Sequence, residues 1–181
     1  SELVELLKKD GHSITRLDLG GGLGIPYEGD DFPPLPREYA DMVKKVVSHL
    51  GCQIIIEPGR FLVGNAGILV SKVVYVKKGE EREFLIIDAA MNDLVRPSMY
   101  DAYHGIVSIT QSDEDSKLYD VVGPVCETGD TFATNRLVSP MESGDLLAIR
   151  SVGAYGAVMS STYNTRRLIP EVLVNKDEFA I

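Results

Sequence analysis

The sequence predicts a chain in two parts: an α/β segment of parallel-sheet character over residues 1–68, then an all-β domain over residues 69–181. Three observations predict it. Before residue 60, two short apolar strands, each closed by a glycine-bearing loop, alternate with amphipathic helices. From about residue 69 the pattern changes to many short β-rich runs separated by turn signals. The composition of the 181 residues, 44% hydrophobic and 25% charged, is that of a globular chain able to bury a core in each part.

In chain order, residues 1–9 read as a helix. Leu3, Leu6 and Leu7 fall at i, i+3 and i+4, Lys8 and Lys9 sit where cations suit the helix dipole, and Gly11 stops it. Ile14–Leu19 reads as a strand closed by Gly20-Gly21-Gly22-Leu23-Gly24, followed by a Pro/Gly/Asp-rich loop from Pro26 to Pro36. Arg37–Leu50 is a helix, with Tyr39, Met42, Val43, Val46, Val47 and Leu50 on the 3.6-residue period and Gly51 as its stop. Cys52–Ile56 is a continuous apolar run, the pattern of a strand buried on both faces, and it ends in Glu57-Pro58-Gly59-Arg60. A turn follows at Gly64–Ile68. Strands are then expected at Leu69–Val76, Glu83–Asp88, Gly105–Thr110, Tyr119–Gly123, Asp145–Val152 and Ile169–Val174. Turns at Lys77–Glu81, Ser112-Asp113, Ser143–Asp145 and Asn175-Lys176 separate them, as in an antiparallel barrel or sandwich.

Several function classes are excluded. The formal charge is 18 − 27 = −9, which argues against a nucleic-acid or anionic-membrane surface, because phosphate binding needs a basic footprint. No run approaches 18 apolar residues, and the opening SELVELLKKD lacks the basic-then-apolar order of a signal peptide. Cys52 and Cys126 cannot make a disulfide framework and fit reduced thiols in the cytoplasm. No Cys or His spacing suits a metal, so no metal site is expected. Two parallel strands with two helices cannot cover both faces of a sheet, and a (β/α)8 barrel takes roughly 250 residues. The expectation is therefore a C-terminal piece of a longer protein, the alternative being a small independent α+β domain.

Five segments could carry chemistry. The Gly20–Gly24 cluster can bring backbone N–H groups close to an anion, or form a tight turn. It matches neither a Rossmann fingerprint nor a P-loop. Glu57-Pro58-Gly59-Arg60 sits at the C-terminal end of a strand, where barrels build active sites, and reads equally as an ion pair closing that end. The two loops on successive strands together suit a phosphate-type site. Cys126, beside Glu127 among glycines, is an exposed thiol able to move a proton or a small buried hydrophobe. Arg96 and Tyr100 lie four apart in the loop Asn92–Tyr100 and could fork onto a carboxylate or form a surface ion pair. Tyr155, bracketed by Gly153-Ala154 and Gly156-Ala157, suits a ring laid on a flat ligand, or a packed turn.

Taken in order, LDLGGGLGIPY, IIEPGRFLVGNAG, DAAMNDLVRPSMYDAYH, VVGPVCETGD and GAYGAVMSSTYNTR span nearly the whole chain. Together they resemble the C-terminal half of the diaminopimelate decarboxylases, pyridoxal 5'-phosphate (PLP) enzymes of the alanine-racemase-like fold. The glycine loop and EPGR are shared with ornithine and arginine decarboxylases; the Cys-Glu pair and RPSMYDAYH point to the diaminopimelate branch. The resemblance implies the last βα units of a PLP-binding (β/α)8 barrel over 1–68 and a C-terminal antiparallel β-domain over 69–181. It implies that Gly21, Gly22 and the backbone of Pro58-Gly59-Arg60 hold the PLP phosphate, and that Glu57 faces the pyridine nitrogen. It implies that Arg60, Arg96 and Tyr100 grip the retained substrate carboxylate and Glu127 the distant ammonium. Cys126 would supply the proton that replaces CO2, and Tyr155 would pack beside cofactor and substrate.

The reaction implied is decarboxylation of meso-diaminopimelate to L-lysine, the last step of lysine biosynthesis, in the cytoplasm. Cys126 and Glu127 would come from the second subunit of a homodimer with a shared active site. The family's Schiff-base lysine lies in an N-terminal half; Lys8, Lys44 and Lys72 sit in no matching context, so this chain alone is expected to be inactive without that half. The alternatives are an ornithine- or carboxynorspermidine-type decarboxylase on the same scaffold, or a catalytically dead relative acting by dimerisation.

Overall fold

The structure is a computed structural model that describes residues 1–29, 32–110 and 114–181. The expected turn at Ser112-Asp113 and the centre of the Pro26–Pro36 loop, residues 30–31, lie outside the described residues. The chain divides into two compact units, Ser1–Val63 and Gly64–Ile181.

The first unit holds α1 (Glu2–Lys9), β1 (Arg16–Asp18), α2 (Pro36–Val47), β2 (Gln53–Ile55) and α3 (Gly59–Val63). The α–β–α–β order comes with a parallel β1/β2 pair in the register Arg16↔Gln53, Leu17↔Ile54 and Asp18↔Ile55. Pro36 opens α2, where a missing N–H costs nothing, and the Glu38 carboxylate accepts the Leu35 N–H at 2.8 Å. A single 3-10 turn, Ser48–Leu50, ends at Gly51 with φ 61°.

The core of this unit is small: Val4, Val43, Val47 and Leu50 are buried, with Ile14, Leu17, Leu19, Tyr39, Cys52 and Ile54 packed against them. Two sequence expectations are corrected here. The core face of α1 runs through Val4 rather than Leu3 and Leu6, which are exposed. The β2 run is only half-buried, with Ile56 exposed, because in this chain a two-stranded sheet has helices over part of its surface only. Met42 and Val46 on α2 are exposed as well.

The second unit is a six-stranded sheet flanked by a short hairpin. Its strands are β3 (Leu69–Lys78), β4 (Glu83–Ile87), β5 (Ile106–Ser108), β6 (Lys117–Val122), β7 (Thr131–Val138) and β8 (Leu146–Ile149), with a helix α4 (Arg96–Tyr100) between β4 and β5. The spatial order is β5-β8-β3-β4-β6-β7. The sheet curls into a nearly closed barrel whose edge strands β5 and β7 approach each other. An exposed hairpin of β9 (Leu173–Asn175) and β10 (Glu178–Ala180) follows.

Burial alternates along β3 from Leu69 to Val73 as period-2 patterning requires, until a bulge between Val73 and Tyr75 shifts the phase. Leu85, Ile87, Val121, Leu147 and Ile149 are fully buried inside the curl.

The expected all-antiparallel pattern fails at one pair. β4 and β6 are parallel, in the register Leu85↔Val121. The connection between them carries α4 and β5, long enough to bring the chain back in the same direction. The strand β7 is not among the sequence expectations: TFATNRLV has no continuous apolar run, and Asn135 at φ 48° breaks its alternation. Its Asn135 N–H is instead held by the buried Asp120 carboxylate at 2.8 Å. Residues 96–100, expected in a loop, form α4, started by Pro97 in its first turn and stopped by Asp101 at φ 51°. Among the described residues no helix is long and apolar enough to cross a membrane.

Leu85 sits at the centre of this core, whereas Leu118 on β6 is exposed. Leu85→Ala is expected to lower the unfolding free energy of the chain by about 3 kcal/mol. Leu118→Ala should cost less than about 0.5 kcal/mol. Urea denaturation of both variants checks the difference.

Candidate functional site

In the first unit the two glycine-bearing strand tips lie edge to edge. The parallel pairing of β1 and β2 continues past their ends, with the Leu19 N–H donating to the Ile55 carbonyl at 3.0 Å and the Glu57 N–H to the Gly20 carbonyl at 2.8 Å. The Asp18 carboxylate accepts the Gly20 N–H at 2.8 Å and turns the chain out of β1. Gly21 passes so close that a Cβ there would stand 2.7 Å from the Glu57 carbonyl oxygen, so only glycine fits without parting the tips. Gly22 adopts φ +94°, and a Cβ at Gly22 or Gly59 would meet nothing within 4 Å. Glycine backbone in open space is what an anion needs for close approach to N–H groups. Gly59 begins α3, its N–H donating to the Glu57 carbonyl at 2.8 Å. Pro58 is half-buried and Glu57 is exposed. The Arg60 guanidinium lies 5.9 Å from the Tyr27 ring centroid, tying the second tip to the loop after the first. The first unit therefore brings Gly21, Gly22, Glu57, Pro58, Gly59 and Arg60 into one neighbourhood.

In the second unit, Arg96 opens α4 and is only 7% exposed. Its guanidinium lies 5.8 Å from the ring centroid of Tyr155 and its Nη1 donates to His104 Nε2 at 2.9 Å. Tyr100, at the other end of α4, is 61% exposed. Tyr155 is held at φ 63°, a left-handed conformation that costs a non-glycine residue energy and marks a constrained turn. The constraint is visible around it: the Gly153 N–H donates to the Gly64 carbonyl at 3.0 Å, and a Cβ at Gly67 would stand 2.7 Å from the Gly153 Cα.

Cys126 and Glu127 are exposed on the loop between β6 and β7. The buried Asp130 carboxylate shapes this loop, accepting the Val125 N–H and the Met91 N–H, each at 2.7 Å. Burial pushes the Asp130 carboxyl up from its ordinary range, opposed by these two N–H bonds and by the Arg166 charge. Gly123 admits it, since a Cβ there would overlap both Asp130 carboxylate oxygens. Gly129 of the same loop lies against α4, with the Ser98 hydroxyl 2.7 Å from where its Cβ would be.

Sequence reasoning assigned no role to Asp130, His104, Asp93 or Arg166, although the last of these closes the GAYGAVMSSTYNTR segment. Arg166 donates from Nε to the Asn92 side-chain oxygen at 2.8 Å and from Nη2 to the Asp88 carbonyl at 2.6 Å, and it pairs with the buried Asp93 at 3.3 Å. Asp93 also accepts the Ala90 N–H at 2.9 Å. A cavity of about 220 Å³ lies here, lined by Met91, Asn92, Val95, Ser161 and Tyr163. Buried polar residues of this kind leave no period in the sequence, because each is placed by a partner 39 to 78 positions away. Among the described residues no group of His, Cys, Asp and Glu is placed to hold a metal ion.

Residues 17–153 match the family described as pyridoxal-dependent decarboxylase, C-terminal sheet domain. The chain is 50% identical to the diaminopimelate decarboxylase of Zymomonas mobilis, over 99% of this chain and 43% of that protein. It is similar in structure to the diaminopimelate decarboxylase of M. jannaschii (TM-score 0.92, 38% identity, 98% of this chain and 42% of that one). It is likewise similar to that of Helicobacter pylori complexed with L-lysine (TM-score 0.90, 38% identity, 99% and 44%). The chain thus spans less than half the length of the relatives it matches.

Asp130→Ala strips the acceptor from two N–H groups and is expected to destabilise the second unit by about 1–3 kcal/mol. Amide hydrogen exchange at Val125 and Met91 should accelerate in step. Exchange unchanged at both positions would mean that Asp130 does not hold the loop.

Proposed function

The chain belongs to the pyridoxal-dependent decarboxylases that carry this C-terminal sheet domain, and on that premise we propose that it contributes to decarboxylation of meso-diaminopimelate to L-lysine. Residues 1–68 are read as the last βα units of a PLP-binding (β/α)8 barrel, and residues 69–181 as the β-domain that follows. The apolar side chains exposed on α1, α2 and after β2, among them Leu3, Leu6, Met42, Val46 and Ile56, support cover by the rest of such a barrel. A homodimer with a shared active site, working in the cytoplasm, completes the reading; Cys52 and Cys126 are both free thiols.

The observation that carries it is the pair of glycine tips zipped together at Gly20–Glu57. Their open backbone at Gly22 and Gly59 fits a phosphate, and Glu57 beside them fits a protonated ring nitrogen. When bound, PLP supplies a sink for the electron pair left as CO2 departs. The other roles fall to this chain's own residues. Gly21, Gly22 and the backbone of Gly59-Arg60 hold the phosphate, and Glu57 keeps the ring nitrogen protonated. Arg60, Arg96 and Tyr100 bind the carboxylate that is retained, so that the other carboxylate is the one lost. The Glu127 carboxylate binds the distant ammonium and thereby reads chain length. The Cys126 thiol delivers a proton to the carbon that has lost CO2, and Tyr155 packs beside cofactor and substrate.

The test is CO2 release by the complete protein from meso-diaminopimelate and, separately, from ornithine. Release from diaminopimelate alone is expected. Preference for ornithine would move the assignment to a neighbouring decarboxylase, and no release from either would favour a catalytically dead relative that acts by pairing. Cys126→Ala is expected to slow turnover by about 10²-fold or more, the scale of one general-acid group, while PLP content stays near that of the parent. Glu127→Gln should raise KM for the diamino acid with PLP content unchanged. Turnover unaffected by the first substitution would remove Cys126 from the proton transfer.

A further inference from the structure

We propose that His104 is a positioning residue: its ring, held neutral, aims the Arg96 guanidinium at the substrate carboxylate, and protonating that ring releases it. The inference rests on the reading of Arg96 as a carboxylate grip.

His104 lies between α4 and β5 and is 1% exposed. Its two ring nitrogens meet partners of opposite kind. Nδ1 is 2.9 Å from the Arg150 carbonyl oxygen, and Nε2 is 2.9 Å from Arg96 Nη1. A carbonyl only accepts and a guanidinium only donates. Nδ1 must therefore carry the hydrogen and Nε2 must be bare, which fixes both the tautomer and the zero charge. A second proton would point an N–H at a guanidinium that has no lone pair to offer. The hydrogen bond would be lost, and two cations would face each other inside the protein.

Among the described residues, Arg96 and Arg136 are the cations that act on this ring. Arg96 comes from α4. Arg136 comes from β7, donating from Nη1 to the His104 carbonyl at 2.7 Å with its guanidinium 3.9 Å from the Tyr103 ring centroid. The residue after β8 contributes the Arg150 carbonyl. Burial holds the His104 pKa below its ordinary 6.5; the Arg150 carbonyl works the other way, and Arg96 and Arg136 add to the lowering. The contribution of the neutral ring is thus fully present above pH 6.5 and is lost as pH falls through the lowered folded value. On its other side the Arg96 guanidinium faces the Tyr155 ring at 5.8 Å. A bare nitrogen and an aromatic face together restrict where a buried guanidinium can point.

The ring state is read directly by nitrogen-15 shifts of His104 in the full chain. A neutral ring with the hydrogen on Nδ1 is expected at pH 8 and still predominant at pH 6.5, where an ordinary imidazole is half protonated. Hydrogen on Nε2, or titration at the ordinary value, would overturn the inference.

Two variants then read the consequence in the active holoenzyme. His104→Asn can still donate to the Arg150 carbonyl but places no acceptor at Arg96. It should raise KM for the diamino acid about tenfold, with kcat within about twofold, the signature of lost uniform binding. His104→Gln can present an oxygen to Arg96 and does not titrate. It should return KM to within about threefold of the parent and abolish the rise in KM on the acid side. Equal KM in the two variants would show a merely structural histidine. Arg96→Lys separates the two claims: KM unchanged there would sink the carboxylate-grip reading itself. KM raised there but not in His104→Asn would sink only the role of His104.

Discussion

Closure of the six-stranded sheet is the constraint on which the second unit depends. A curled sheet needs a fastening where its edges meet, since edge strands otherwise present unpaired N–H and C=O groups. Here the edges are β7 and β5, and Arg136 on β7 donates to the carbonyl of His104, two residues before β5 begins. The same guanidinium lies over Tyr103, so a hydrogen bond and a cation–π contact from one side chain both fasten the seam. Because closure fixes the His104 backbone, the imidazole is presented at one angle to Arg96 and to the Arg150 carbonyl. Barrel geometry and the orientation of Arg96 are thus one problem with one solution.

The polar groups buried around that seam divide the remaining work. Asp130 bridges two loops through N–H groups of Val125 and Met91. Asp93 and Arg166 fasten the Ala90–Asp93 turn to the chain that follows Tyr155. Each carboxylate meets two or more donors, which is how buried charge is tolerated at all. The result is that α4, the Cys126-Glu127 loop and the Tyr155 turn share a polar frame, alongside the apolar anchors Leu94 and Val152. Side chains on loops owe their precision to such frames, because loops have few buried apolar contacts of their own.

The first unit solves a different problem with the same economy. Its core cluster is small, built among the described residues on Val4, Val43, Val47 and Leu50, with Leu23 and Ile25 buried in the loop after β1. What holds the two glycine loops together is continued backbone pairing past the ends of β1 and β2, from Leu19–Ile55 to Gly20–Glu57. That pairing demands a residue without a side chain at position 21, and it turns two separate glycine motifs into one surface. The family in which the chain falls puts a phosphorylated cofactor to use, and a paired, side-chain-free backbone is a chemically reasonable place to hold one.

Much of this was legible in the residues. Hydrophobic period and glycine stops located both longer helices and most strands to within a few positions, because those signals are local. Glycine clusters at strand ends and the Cys-Glu pair also stood out, since turn chemistry and thiol chemistry are carried by residue type. Less visible was anything set by a distant partner. The strand TFATNRLV is a strand because β6 and Asp120 hold it, and RPSMY is a helix although its neighbours read as a loop. The parallel sense of β4 and β6 depends on the path of the 30 or so residues between them, estimated as roughly the length of a crossover. So the sequence by itself determined where most strands and both longer helices lie and which residue types are available for chemistry, through period and composition. Only the tertiary structure decided which atoms meet: a histidine acquires a fixed proton when a carbonyl and a guanidinium, 46 and 8 positions away, close on its two nitrogens.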